Sequence, residues 1–135
     1  GGTVWLEPSI RCVYFSRSTF GKLALQYWRY GFWKFKMLRR YPHTLRWRQA
    51  LPPVFVFSLM ALIVLSFWVA LMRSVLAAQV FIYFASLSLA GLKLAIKERK
   101  GFLLLGLPLA ISTMHLAWGA GFLWSVLINL FNKNG

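Results

Sequence analysis

Leu51-Pro52-Pro53-Val54-Phe55-Val56-Phe57-Ser58-Leu59-Met60-Ala61-Leu62-Ile63-Val64-Leu65-Ser66-Phe67-Trp68-Val69-Ala70-Leu71-Met72 carries no formal charge. Wound as an α-helix it is about 33 Å long, enough to cross the hydrocarbon core of a bilayer. Pro52 and Pro53 would lie in the first turn of a helix starting at Leu51, where missing N–H groups cost little. Arg73-Ser74 follows, and then a second uncharged run, Val75 to Leu92, about 27 Å long as a helix. A single helix over 51–92 would measure about 63 Å, far more than one crossing needs, so a tight hairpin turning at Arg73-Ser74 is expected. Lys93 to Lys100 reads as a short basic loop. Phe102 to Phe131 is a third apolar stretch of about 45 Å, more than one crossing requires. Tilt, a bend near Pro108 or Gly119–Gly121, or a tail left at the far surface would absorb the excess. A re-entrant segment is the alternative. The expected spans are 51–72, 75–92 and 102–125, within a transmembrane region over 49–135.

The chain before the first span is basic and aromatic. Ser18 to Arg40 reads as an amphipathic helix, with Ser18 or Thr19 placed to cap its start through a hydroxyl oxygen. Lys22, Gln26, Arg29, Trp33, Lys36 and Arg40 are spaced by four, three, four, three and four, which sets them on one stripe. Large apolar and aromatic side chains fill much of the rest. Such a helix suits the plane of a membrane interface. Gly31 weakens it by about 1 kcal/mol relative to alanine. Pro42 disfavours helix in the residue before it, so Tyr41-Pro42-His43 should end the element. Arg46 and Arg48 form a second basic patch, and residues 17–48 together read as a basic interfacial segment. Ile10-Arg11-Cys12-Val13-Tyr14-Phe15 reads as one short strand. A lone strand cannot fold by itself, so residues 1–16 are expected to be the end of a domain that begins upstream. The fold class expected is thus a mainly α membrane protein: a short terminal strand, an amphipathic interfacial helix and about three transmembrane helices.

Composition agrees. The chain has 135 residues, 59% of them hydrophobic, and a mean hydropathy of +0.62. A soluble domain of this length could not bury so much apolar surface in one core. Sixteen Lys and Arg oppose two acids, Glu7 and Glu98, for a formal net charge of +14. That balance calls for an anionic partner, and the apolar spans favour a bilayer with anionic headgroups over nucleic acid. Ten Lys and Arg lie in residues 1–48, one at Arg73, four in 93–100 and one at Lys133. With three crossings, the positive-inside rule places the N-terminal segment and the 93–100 loop in the cytoplasm and the C-terminus outside.

Several chemistries are unsupported. Glu7 and Glu98 are too far apart in sequence to suggest a catalytic carboxylate pair. Aspartate is absent, and with it the Ser/His/Asp set. There is no glycine-rich phosphate loop. His43 and His115 lie on different segments and suggest no shared metal site. Cys12 has no partner for an internal disulfide and reads as a small buried residue. Nothing marks this segment as catalytic by itself.

Gln26-Tyr27-Trp28-Arg29-Tyr30 stands immediately before the amphipathic run and the membrane hairpin. It resembles the Q-x-x-R-W signature of membrane-bound family 2 glycosyltransferases, with Tyr30 in place of Trp. Arg17-Ser18, Leu25-Gln26 and Tyr30-Gly31 together resemble the R-x-S…L-x-R-Q-x-x-x-Y-G pattern of non-processive members of the succinoglycan-biosynthesis type, though Leu25 stands where Arg usually precedes Gln. His115-Leu116-Ala117-Trp118-Gly119-Ala120-Gly121-Phe122 is similar to the H-x-x-Y-G-x-G-F element in the last span of the same enzymes.

The resemblance implies a cytoplasmic GT-A domain upstream, of α/β fold. That domain would bind a nucleotide sugar with a divalent metal (Mg or Mn) at a D-x-D-type motif and supply the general base. No metal or other cofactor is expected on this segment. Arg29 is then expected at the donor diphosphate, since a guanidinium can clamp it bidentately. Gln26 and Tyr30 are expected at the acceptor end, and Arg17 is a further candidate for phosphate contact. The implied function is membrane anchoring and active-site rim for transfer of a sugar to a lipid-linked or polysaccharide acceptor at a bacterial-type inner membrane. The competing reading of the same residues is a non-enzymatic basic anchor or assembly subunit that holds anionic lipid. Ala117, Gly121 and Ser125, at four-residue intervals, would let another helix approach closely.

Overall fold

A computed structural model of the chain describes Trp5, Glu7, Ser9, Arg11, residues 19–44 and residues 46–131. The protein is mainly α, and no strand occurs among the described residues. Most of the expected strand at 10–15, together with Cys12 and Arg17, lies outside them. Four long helices follow in order: α1, Phe20–Arg40; α2, Trp47–Leu65; α3, Ala70–Glu98; and α4, Leu103–Phe131. A one-turn 3-10 helix, Pro42–Thr44, links α1 to α2. Three of the four, α2 to α4, are long and apolar enough to cross a membrane, and the chain is membrane-embedded on that ground.

The helix ends have local causes. Thr19 caps α1, its Oγ1 accepting from the N–H of Lys22 at 3.3 Å. Arg39 and Arg40 lie in the last turn, where cations complement the helix dipole. The helix α2 starts at Trp47, four residues before the expected Leu51, because the side chain of Gln49 accepts from the N–H of Arg46 at 3.3 Å. Pro52 and Pro53 therefore sit in its second turn.

The hairpin turn is Ser66–Val69 rather than Arg73-Ser74. Arg73 is helical and sends its Nε back to the Ser66 carbonyl at 3.0 Å, so the one cation in the apolar run closes the end of α2 instead of marking the loop. The basic stretch 93–100 is likewise mostly helix. Lys93, Lys97 and Glu98 belong to α3, and the turn begins only at Arg99, whose φ of 53° is left-handed. The helices long and apolar enough to cross are thus 47–65, 70–98 and 103–131, where the sequence reading expects spans at 51–72, 75–92 and 102–125.

The bundle buries small residues and exposes large ones. Buried positions include Gly31, Pro53, Val56, Gly91, Pro108, Ser112, Gly119, Gly121 and Ser125. Facing outward are Val54, Phe57, Met60, Phe81, Ile82, Leu89 and Leu105. A water-soluble protein has the opposite arrangement. In lipid, where Leu and Phe lose nothing by facing out, small residues go inside because they let backbones approach.

The helix α4 is the hub, touching each of the others, and α1·α4 is the most extensive pairing. A Cβ on Gly31 would collide with the Trp118 carbonyl, and one on Gly121 with the Trp28 carbonyl. A Cβ on Gly119 would come within 2.5 Å of the Pro52 carbonyl oxygen on α2. Phe35 and Phe122 pack edge to face with centroids 5.5 Å apart. Farther along, Arg39 Nη1 donates to Asn129 Oδ1 at 2.8 Å, and Asn129 Nδ2 donates to the Ser125 carbonyl at 2.7 Å. The pairings advance together, Trp28 with Gly121 and Arg39 with Asn129, so α1 follows the second half of α4 in the same sense.

The first half of α4 packs antiparallel on α3. Gly91 lies against Leu103, Leu104 and Pro108, and Tyr83 meets His115. Between α2 and α3, Gln79 Nε2 donates to Ser58 Oγ at 2.9 Å, and Phe55 stacks on Tyr83 at 4.3 Å.

Candidate functional site

The register of α1 gathers the motif residues. With its inner face occupied by α4 at Trp28, Gly31 and Phe35, the helix turns Arg29 and Tyr30 outward, exposed, with Gln26 half-buried beside them. Gln26, Arg29 and Tyr30 line one open cavity of about 310 Å³, together with Lys22 and Leu25. Gln26 Nε2 donates to Tyr30 Oη at 2.7 Å, a bond between residues four apart, one helical turn. The Tyr30 ring stands edge-on to Tyr27 at 5.7 Å. Arg17, the fourth residue expected here, lies outside the described residues.

Electrostatically the cavity is cationic. Lys22 and Arg29 supply the charge, and neither Glu7 nor Glu98 lines the cavity. Glu98 is in the last turn of α3. Glu7 is bonded locally, accepting at Oε1 from the Ser9 hydroxyl at 2.6 Å and the Ser9 N–H at 3.1 Å. Those bonds, the hydroxyl's foremost, hold its carboxyl below the usual range. A guanidinium and an ammonium on one open face suit an anionic oxygen cluster such as a diphosphate. The Gln26–Tyr30 pair adds a fixed amide and an aromatic face.

Tyr30 also borders a second, shallower groove of about 530 Å³ with Trp33, Lys34, Lys36, Arg40 and Tyr41. Two of its cations rest on aromatic rings. Lys36 Nζ lies 4.8 Å from the centroids of both Phe32 and Trp33, and Arg40 lies 5.9 Å from that of Tyr41. Lys34 Nζ donates to the Thr44 carbonyl at 3.2 Å. Amphipathic side chains of this kind sit well at a headgroup layer.

His115 does not join the Gln26 site. Its Nδ1 is 3.1 Å from Tyr83 Oη, and Tyr83 is held in turn by the Phe55 stack. Sequence reasoning singled out His115 but not Tyr83. The signal was available only with the right turn: Tyr83 and His115 are nearly equidistant from Arg99–Gly101, as partners in an antiparallel hairpin must be. Gly31 was read as a weak point and is in fact the point of contact with α4. No group of three or more His, Cys, Asp or Glu side chains converges among the described residues. No protein-family model, curated protein sequence or solved structure matches this chain.

Proposed function

We propose that this chain is the membrane-anchoring, active-site-rim segment of a glycosyltransferase. The enzyme would move a sugar from a nucleotide-sugar donor to a lipid-linked or polysaccharide acceptor. The observation that supports the reading is the grouping of Lys22, Gln26, Arg29 and Tyr30 on one exposed face of α1. These include the positions of the Q-x-x-R resemblance, and they sit on a helix braced by an apolar bundle. In this role Arg29 neutralises charge building on the leaving diphosphate, Lys22 adds to the field, and Tyr30, fixed by Gln26, offers a ring to the acceptor sugar. A divalent metal and the general base belong to the GT-A domain that the resemblance implies.

The test is transfer activity in membranes carrying the complete gene product. Arg29→Ala removes a charge-assisted contact and should lower kcat/KM by about tenfold to a hundredfold, the equivalent of ~1.5–3 kcal/mol. Unchanged transfer and unchanged donor affinity would end the assignment. If membranes bearing the complete product transfer no sugar and bind no nucleotide, the basic lipid-anchor reading takes its place.

The proposed setting is a bacterial-type inner membrane, with α1 and the 93–100 segment cytoplasmic and the C-terminus outside, from the distribution of Lys and Arg. Reporter fusions in the 93–100 segment and after Gly135 test it. The Arg39–Asn129 bond makes the second fusion the sharper one. It ties the last turn of α1 to the last turn of α4, so a cytoplasmic α1 that keeps this contact would hold the C-terminus on its own side, against the Lys and Arg count. A cytoplasmic signal after Gly135 would keep both ends together at the inner surface and overturn the three-crossing topology.

A further inference from the structure

We propose that the junction of α1, α2 and α4 holds the phosphate-ester headgroup of an anionic lipid, at a site separate from the Gln26–Arg29 face. The proposal does not rest on the transferase reading, since lipid binding by the chain requires no transfer. A cavity of about 240 Å³ lies where the three helices meet, lined by Tyr27 from α1, Arg48, Gln49 and Pro52 from α2, and His115 and Trp118 among those from α4. Residues 27, 48 and 115 are far apart in sequence, so only the tertiary structure makes this group.

Its donors suit a phosphate. Arg48 is exposed and meets no carboxylate among the described residues; its guanidinium lies 5.8 Å from the Trp47 ring centroid. His115 is oriented from behind by Tyr83 Oη at Nδ1, 3.1 Å away. When Tyr83 donates that bond, Nε2 carries the ring's proton and is the donor left for the cavity. A histidine within an apolar helix, with a second residue fixing its ring, is costly unless it has work to do. Tyr27 and Gln49 add a hydroxyl and an amide.

The position favours a lipid over a soluble anion. The cavity takes its α2 lining from the first two turns, the same turns that carry Trp47, 70% exposed, and the exposed Leu51, with Val54 and Phe57 exposed in the turns after. Indole rings mark headgroup depth, and an apolar row just below them marks acyl depth. A headgroup can enter sideways there while its chains stay against α2. Tyr27 also links the cavity to the motif face through its edge-on contact with Tyr30.

The experiment is native mass spectrometry of the chain released from micelles containing phosphatidylglycerol or phosphatidylcholine, with helicity followed by circular dichroism. One phosphatidylglycerol should be retained per chain, with about a tenfold preference over phosphatidylcholine. Arg48→Gln and His115→Phe should each weaken retention by about tenfold, as expected for loss of a hydrogen bond to a charged group. Tyr83→Phe should cause a smaller loss, and Lys97→Gln none. Two results overturn the proposal: Lys97→Gln weakening retention as much as Arg48→Gln, which means diffuse charge, or displacement of the lipid by inorganic phosphate, which means a soluble anion site. If His115→Phe loses helicity, Tyr83→Phe decides: full retention by that variant removes the histidine from the site.

Discussion

Ser125 is fully buried in α4, and its hydroxyl has no hydrogen-bond partner among the described residues. Its value to the bundle is its size, beside the close approach of α1, and not its polarity. An unsatisfied buried hydroxyl costs about 1–3 kcal/mol, so Ser125→Ala should raise the unfolding midpoint in a denaturant titration. Arg99 is a second residue-scale case. It ends α3 at φ 53°, a conformation in which a Cβ is strained and glycine is not. Arg99→Gly should stabilise the α3–α4 turn by up to ~1 kcal/mol in the same titration. Neither effect follows from residue type alone. The spacing of Ala117, Gly121 and Ser125 points to a close helix approach but not to an unmet hydroxyl, and an arginine near a lysine reads as a surface charge.

The helix α1 is where the elements depend most on one another. By itself it is an amphipathic helix with a glycine in its middle, of the kind that lies flat on a membrane. Against α4 that glycine is the condition for contact, since the Trp118 carbonyl occupies the space of any side chain. Gly31→Val should therefore part the two helices while leaving α1 helical. Loss of the Phe35–Phe122 contact, followed by a chemical crosslink between cysteines placed at those positions, would report it. The expected cost is about 1–3 kcal/mol. Retained crosslinking would mean that α1 adjusts without leaving α4. The same contact sets which face of α1 remains for ligands. With Trp28, Gly31 and Phe35 inward, Lys22, Gln26, Arg29 and Tyr30 have nowhere to go but outward.

At the scale of the whole molecule, both termini of α4 are beside cations. Lys97 to Lys100 precede its first turn, and Arg39 reaches its last. A helix of 29 residues is about 43 Å long, so the two basic groups are separated by more than a hydrocarbon thickness. Counting Lys and Arg along the chain puts them on one surface, whereas their contacts with α4 put them at its two ends. The fusion after Gly135 measures which of these governs in a bilayer. The inside-out packing bears on the same point. With Val54, Phe57, Phe81, Ile82 and Leu105 outward, the purified chain should aggregate when detergent falls below its micelle threshold. A dispersed monomer under that condition, seen by light scattering, would contradict membrane embedding.

Three apolar helices, a basic amphipathic helix before them, its threonine cap and its end near Tyr41-Pro42 were all legible in the residues. Lipid selects for length and lack of charge along the chain, and caps and prolines act on their immediate neighbours. The hairpin turn and the extent of α3 differ from the sequence expectation because a charge in an apolar run does not by itself end a helix. Inside the fold Arg73 instead reaches back to a carbonyl, and Lys93 and Lys97 simply continue the helix. The grouping of Gln26, Arg29 and Tyr30 was foreseeable, since one helical turn brings them together. The pairing of Tyr83 with His115 and the cavity among Tyr27, Arg48 and His115 were not, and the stripe Ala117, Gly121 and Ser125 marked a face for close approach without showing that α1 meets it at Gly31. Those depend on which faces of separate helices meet, and contact between backbones is decided by three-dimensional packing that no local pattern encodes.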